Sequence, residues 1–377
     1  MNYKETGFRA FYHHFSILVI SEKTGSYLEQ FPGSKDADGI LTYGYYDREA
    51  GMTLEVLAAV TRKGDRAVLD DLSGDVRFFI RAEAVQGEDV LFWKDGCGGL
   101  EERYHEKLAA LQCYDGGEDL EQTRAMDFLD GSRDPFHIDD LMVWLLKDGR
   151  KPEGCWVRMQ SLEEHRFAGM LLNEPEGDFG CHAGDLVPFS LQKLEDQTVI
   201  CVADRNGNSF FTEEELADGS RLEEVVAEFY GERTEYRFFE VMKILRDSQL
   251  WVPFTAVLSD RDQKRLEQMV FQREGGPESL KGEVFQTEDE TRMVPDILQN
   301  GEEYFFPVFS TAEAMGEYGG NFSKVQLPVT DVIRLAENSE KKLSGIVLNA
   351  FGKSFVLERE FWDAVEHMKS HLAEETD

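Results

Sequence analysis

Apolar and polar positions alternate along this chain in stretches of two kinds, one with the period of a strand and one with the period of a helix. Strand-like runs fall at residues 15–20, 40–46, 53–60 and 76–82, separated by turns containing Gly, Asp or Lys. After the glycine-rich stretch Asp95-Gly96-Cys97-Gly98-Gly99, apolar residues recur near helical spacing at Leu100, Tyr104, Leu108 and Leu111. Asp115-Gly116-Gly117 breaks that helix, and the pattern resumes to about Phe128. The apolar run at 138–146 predicts another helix, buried on most sides. Short strands return at 155–159, 167–172, 184–189 and 198–202. Leu222, Val225, Val226 and Phe229 then form one helical stripe and Phe238, Met242 and Leu245 a second, with Gly231 between them. Ser220 with Glu223, and Thr212 with Glu215, have capping-box spacing.

The last third begins at Leu250-Trp251-Val252-Pro253-Phe254 and is dominated by Tyr304-Phe305-Phe306-Pro307-Val308-Phe309-Ser310-Thr311-Ala312-Glu313. Residues 303–309 are aromatic and β-branched, which suits a buried strand. Pro307 removes a ladder donor and argues for a strand end, an edge or a bulge. Asn300-Gly301, a preferred hairpin pair, separates this strand from the run at 292–298. Ser310 and Glu313 have capping-box spacing, Thr330 caps a short helix carrying Val332, Ile333 and Leu335, and a final helix carries Phe361, Val365, Met368 and Leu372. Strands in one layer and helices in another give an α+β domain.

Together with Ile346-Val347-Leu348-Asn349-Ala350-Phe351-Gly352 downstream, this order of motifs resembles the SseB family over about residues 250–371. The resemblance implies an α+β fold widespread in bacteria and not tied to a defined reaction. Further upstream, Asn173-Glu174-Pro175 and then Gly184-Asp185-Leu186-Val187-Pro188-Phe189 resemble, within residues 155–204, small bacterial β domains of unknown function, some grouped with toxin-immunity proteins. The chain therefore reads as multidomain α+β. An N-terminal α+β unit (1–148) is followed by a small β-rich unit (149–216), a helical connector (217–249) and an SseB-like domain (250–377).

A length of 377 residues exceeds one ordinary core, and 41% apolar content marks a folded chain. Forty basic against 74 acidic residues leave a net charge of −34. That excess opposes binding to nucleic acid or anionic lipid and fits a basic protein partner, a DNA-mimic role or simple solubility. Five scattered cysteines read as reduced thiols in a cytoplasmic protein. The early run at 15–20 is too short for a signal segment or a membrane span.

Candidate chemistry is sparse. Asp204, Asn206, Asn208 and Glu215 stand at ligand positions of an EF-hand calcium loop, but Ser209 replaces the turn glycine and a strand precedes the loop. The same residues also read as an Asn206-Gly207 turn followed by the Thr212–Glu215 cap. Cys181 and His182 are adjacent and point apart on an extended chain. Cys155, His165, Cys181, His182 and Cys201 lack the spacing of a zinc site. Asp139-Asp140 and Glu163-Glu164 read as solvated carboxylates. No nucleotide-binding motif occurs, so neither a catalytic residue nor a cofactor is expected.

The expected function is that of a non-enzymatic interaction or regulatory module, with immunity-type binding of a basic effector as its specific form. The competing expectation is a small-ligand-binding protein or hydrolase with a site between the middle and last domains. Trp251, Phe309 and Phe351 then line a pocket, with Asn349 as its polar contact.

Overall fold

In the computed structural model the apolar run at 53–60 lies within one long strand, and its apolar character is continuous because both faces are covered. The structure describes residues 1–63, 66–73, 76–92, 98–163, 166–208, 210–271 and 285–373; Asp95, Gly96, Cys97, Glu164, His165 and Ser209, named above, lie outside them. These residues form two compact units, Met1–Asn208 and Ser209–Asp377. Helices accompany several sheets, so the chain is α+β as expected. Among the described residues no helix is long and apolar enough to cross a membrane.

The first unit opens with a short helix, α1 (Tyr3–Thr6), and an antiparallel sheet. Its strands are β1 (Phe15–Val19), β2 (Gly39–Asp47), β3 (Gly51–Lys63), β4 (Arg66–Asp71), β5 (Phe79–Arg81) and β6 (Val90–Phe92). The order is β4-β3-β2-β1-β6, and β5 pairs with the first part of β3. Leu54, Val56 and Ala59 enter a core with Phe8, Phe11 and Tyr46. Leu57, Ala58 and Val60 enter a second core beneath Leu100 and Tyr104. Those two residues belong to α2 (Gly98–Arg103) and its junction with α3 (His105–Leu111), and α4 (Glu118–Ala125) follows. The two short strands β4 and β6 escape the periodicity reading.

A closed barrel completes this unit: β7 (Asp140–Leu146), β8 (Glu153–Glu163), β9 (Arg166–Leu171), β10 (Leu186–Lys193) and β11 (Val199–Asp204), in the order β10-β11-β7-β8-β9. The helix expected at 138–146 is thus strand β7. Leu141, Val143 and Leu145 are fully buried in the barrel, while Trp144 between them is 40% exposed. This period-two burial identifies a strand, but a short apolar run does not reveal it in sequence. The barrel takes β7 from before residue 149.

The Asp139-Asp140 pair is a second correction. Both side chains are buried, not solvated. The Arg124 guanidinium forks onto Asp139, with Nε 2.8 Å from Oδ1 and Nη2 2.7 Å from Oδ2. Arg158 forks onto Asp140 at 2.7 and 2.8 Å. Arg124 also donates to the Tyr12 hydroxyl at 2.8 Å and lies over the Tyr46 ring. Arg48, from the β2–β3 turn, approaches Asp139 at 3.4 Å and donates to the Met159 carbonyl. The bidentate pairs thus fix α4 and β8 to the start of β7, and Tyr12 and Arg48 tie the sheet to the same cluster; such buried pairs hold only while both partners are present.

In the second unit a three-stranded sheet has the order β13-β12-β16, from β12 (Gln249–Val257), β13 (Arg292–Pro295) and β16 (Ser323–Pro328). A four-stranded sheet has the order β14-β15-β17-β18, from β14 (Leu298–Asn300), β15 (Glu303–Val308), β17 (Gly345–Leu348) and β18 (Phe355–Glu358). Within it β15 and β17 are parallel. The helices are α5 (Glu213–Leu216), α6 (Ser220–Gly231), α7 (Glu235–Asp247), α8 (Asp260–Phe271), α9 (Val329–Glu337) and α10 (Trp362–His367). Leu222, Val225 and Val226 of α6, with Val241, Ile244 and Leu245 of α7, pack onto Val252, Phe306, Val308, Ile346 and Leu348.

The run at 292–298 is divided between the two sheets, and the hairpin loop is Gly301-Glu302 because Asn300 pairs with Glu303. Pro307 lies beyond the pairing of β14, which stops at Phe305, in an edge-like setting. The final helix is shorter than expected: it ends at His367, and Leu372 instead bridges to Phe211. Helix α8 carries too thin an apolar stripe to be seen by periodicity, and Phe271 at its end is 92% exposed.

Substituting Arg124→Met leaves the buried Asp139 without its fork and is expected to destabilise the first unit by about 3–5 kcal/mol. Adding Asp139→Leu to that variant should recover a large part of the loss. Urea unfolding of the full chain measures both, and an unchanged midpoint for Arg124→Met would contradict the role given to this pair.

Candidate functional site

Strands β15 and β17 run parallel, so the chain leaves both at the same end of their sheet, the position at which open sheets of this kind place ligand crevices. Ser310 follows β15 and Asn349 follows β17. Their side chains extend the strand ladder. The Ser310 N–H donates to Asn349 Oδ1 at 3.0 Å, and the Asn349 N–H donates to the Val308 carbonyl at 2.9 Å. Asn349 Nδ2 donates to Ser310 Oγ at 2.9 Å, and the Ser310 hydroxyl in turn donates to Glu223 Oε1 on α6. Asn349 adopts a left-handed backbone, φ +50°, which Asn tolerates better than most residues.

Helix α6 is brought to this corner by Gly219, its N-cap residue, at φ +73°. A Cβ there would sit 2.6 Å from the Ser310 carbonyl oxygen, so only glycine allows the approach. Two capping boxes expected from spacing therefore do not form. Glu223 reaches Ser310 while Ser220 bonds Asp218, and α6 has no side-chain cap. Ser310 is engaged by Glu223 and Asn349, and it is the Thr311 hydroxyl that accepts from the Ala314 N–H, at 3.0 Å. Thr330 lies inside α9, which begins at Val329 after Pro328. The Thr212–Glu215 box does form, and its hydrogen bonds hold the Glu215 carboxyl below the usual range.

A cleft of about 570 Å³ opens between α6 and the loop after β17. Ser220, Glu223 and Glu224 form one wall, and Asn349, Phe351 and Lys353 the other. Phe351 is 58% exposed. Behind it lie Tyr318, with ring centroids 4.8 Å apart, and buried Phe309, at 6.2 Å. Tyr318 is anchored through its hydroxyl to the Asp296 carboxylate; burial first, and then this bond, raise its pKa. Of the residues expected around a pocket, Asn349 and Phe351 line the cleft and Phe309 supports Phe351. Trp251 joins Phe309 through two backbone hydrogen bonds of 2.9 Å and is not among the lining residues. Glu223, Tyr318 and Lys353 were not foreseen: their places depend on a helix, a turn and a loop that meet only in three dimensions.

Asp204 accepts from the Asn206 N–H at 2.9 Å, and Asn206 accepts from the Asp148 N–H at 2.7 Å. Asp204, Asn206 and Asn208 belong to the first unit and Glu215 to the second. Cys155, Cys181 and Cys201 are buried. Burial pushes the Cys201 thiol up to about 11 and raises that of Cys155. The His182 ring bonds the Glu174 carboxylate at 2.5 Å. Among the described residues no three or more His, Cys, Asp or Glu side chains gather as a metal site would require.

Residues 222–362 fit the family model described as the SseB protein N-terminal domain. The resemblance read at 250–371 is thereby borne out, and the matched region also takes in α6 and α7 and hence the α6 wall of the cleft. No curated protein and no solved structure matches the chain.

Asn349→Ala removes the partner of the Ser310 N–H and also strains the left-handed backbone, whereas Asn349→Gly removes only the side-chain bonds. The expected order of stability is wild type, then Gly, then Ala, with about 1 kcal/mol or more at each step. Thermal or urea unfolding reads the order, and equal losses for Gly and Ala would show that the backbone conformation carries no cost.

Proposed function

We propose that this chain is a non-enzymatic protein-interaction module whose cleft between α6 and the β17 loop receives a basic, partly apolar segment of a partner protein. Phe351 carries the reading. An aromatic ring that is 58% exposed, backed by two other rings and set beside the carboxylates of Glu223 and Glu224, has the make-up of an interface anchor. The net charge of −34 steers cationic partners towards the surface, and the local carboxylates favour positive side chains once they arrive.

Ser310 supports the non-enzymatic reading. Its hydroxyl hydrogen points to Glu223 and its oxygen accepts from Asn349, so the group serves to hold the cleft. In the specific form of the proposal, the protein neutralises a basic effector in the cytoplasm in the manner of an immunity protein. The acidic charge supports this form, as does the resemblance of residues 155–204 to small domains grouped with such proteins. On this reading the helices of 217–249 serve the same functional unit as residues 250–377, while 1–148 and 149–216 carry separate roles.

The test is a pull-down from the native host at low salt, with wild type and the double variant Phe351→Ala/Glu224→Lys compared side by side. A basic protein retained by wild type and lost from the variant is the expected result. Loss of Phe351 alone should weaken retention by about 1–3 kcal/mol. Equal retention by both proteins would remove the cleft from the account.

A further inference from the structure

A smaller cavity in the first unit, about 300 Å³, lies between β2 and the helices that cover that face of the sheet. It is lined by His13, Tyr43 and Tyr45, by Glu101 and Asp115, and by Leu108. Among the described residues no Lys or Arg lines it.

The cavity is held open by rigid neighbours. His13 has a left-handed backbone, φ +59°, fixed by donation of its N–H to the Gly44 carbonyl at 2.9 Å. Its ring stacks on Tyr12 with centroids 4.0 Å apart, and its Nε2 lies 3.1 Å from Asp115 Oδ1. The Tyr43 ring lies nearly parallel to that of His13, at 12° with centroids 6.4 Å apart, and is braced edge-on by Phe15. Burial first, and then the Asp115 and Glu101 carboxylates, raise the Tyr43 hydroxyl's pKa, so both carboxylates act on the same space.

We propose that this cavity is a binding site for an organic cation of the guanidinium type. Aromatic faces attract cations through the ring quadrupole, most effectively where the cation gives up little hydration. Guanidinium is weakly hydrated, planar and able to stack, and its N–H groups match carboxylates placed at the edge of such a site. An anion would face two carboxylates offset only by the His13 ring, which is already engaged with Asp115. The site is independent of the cleft in the second unit, so either assignment can fail without the other.

Agmatine, which carries a guanidinium and no carboxylate, is the probe. Titrated into the full chain at fixed ionic strength and followed by calorimetry, it should give a saturable signal with Kd near ~1 mM or tighter. Tyr43→Leu and Asp115→Asn should each weaken binding by about tenfold or more, an effect of about 1.4 kcal/mol. Glu101 is exposed on α2, so Glu101→Gln leaves the fold intact and should also weaken binding even if Tyr43→Leu fails to fold. Absence of a saturable signal with wild type overturns the proposal. So does equal affinity in Glu101→Gln, Asp115→Asn and wild type, which would mean diffuse attraction to an acidic surface.

Discussion

The second unit is organised around the contact between Asn349 and Ser310. Two parallel strands end side by side, and the ladder between them is prolonged by an asparagine amide in place of the backbone. Because Ser310 is 2% exposed, loss of the amide would leave its buried N–H without this partner. The hydroxyl passes the constraint on to Glu223 and so fixes where α6 can lie, and Gly219 lets the helix come close enough to accept it. The link joins both walls of the cleft, while Leu222, Val225 and Val226 seat α6 on the core and Tyr318 backs Phe351.

The first unit solves a different problem with a related device. Its sheet and barrel meet where Asp139, Asp140, Arg124, Arg158 and Arg48 come together. A buried ion pair adds little net stability over an apolar pair, but removing one partner strands a buried charge, so the two must be kept together. The excess of acid on this chain is therefore of two kinds: carboxylates committed inside the fold, and surface carboxylates such as Glu224, whose pairing with Arg221 is exposed and weak.

Much of this fold is legible in the sequence wherever a residue's role is set by its near neighbours. Strands β1, β2, β3, β8, β9, β10 and β11, helices α6 and α7, and the Thr212–Glu215 cap fall where spacing places them. Legibility fails where tertiary partners win. Ser220–Glu223 and Ser310–Glu313 have the same spacing as a working cap, yet Glu223 and Ser310 find each other. Asp139 and Asp140 look like surface acids until Arg124 and Arg158, from elsewhere in the chain, arrive beside them. Strand β7 reads as a helix because six apolar residues in a row carry no period. In the site, Asn349 and Phe351 could be picked out because they sit in a recognisable motif, whereas Glu223 and Tyr318 belong to none.

The central claim is that a partner is held against the α6 and β17-loop walls of the cleft. Site-specific photo-crosslinking in the native host tests it most directly, with the photoreactive group placed at Lys353 in the cleft wall and, as a control, at Lys341, which packs over Tyr304. The account predicts a discrete adduct with a basic protein from position 353 and none from position 341. No adduct from 353, or the same adducts from both positions, would contradict it.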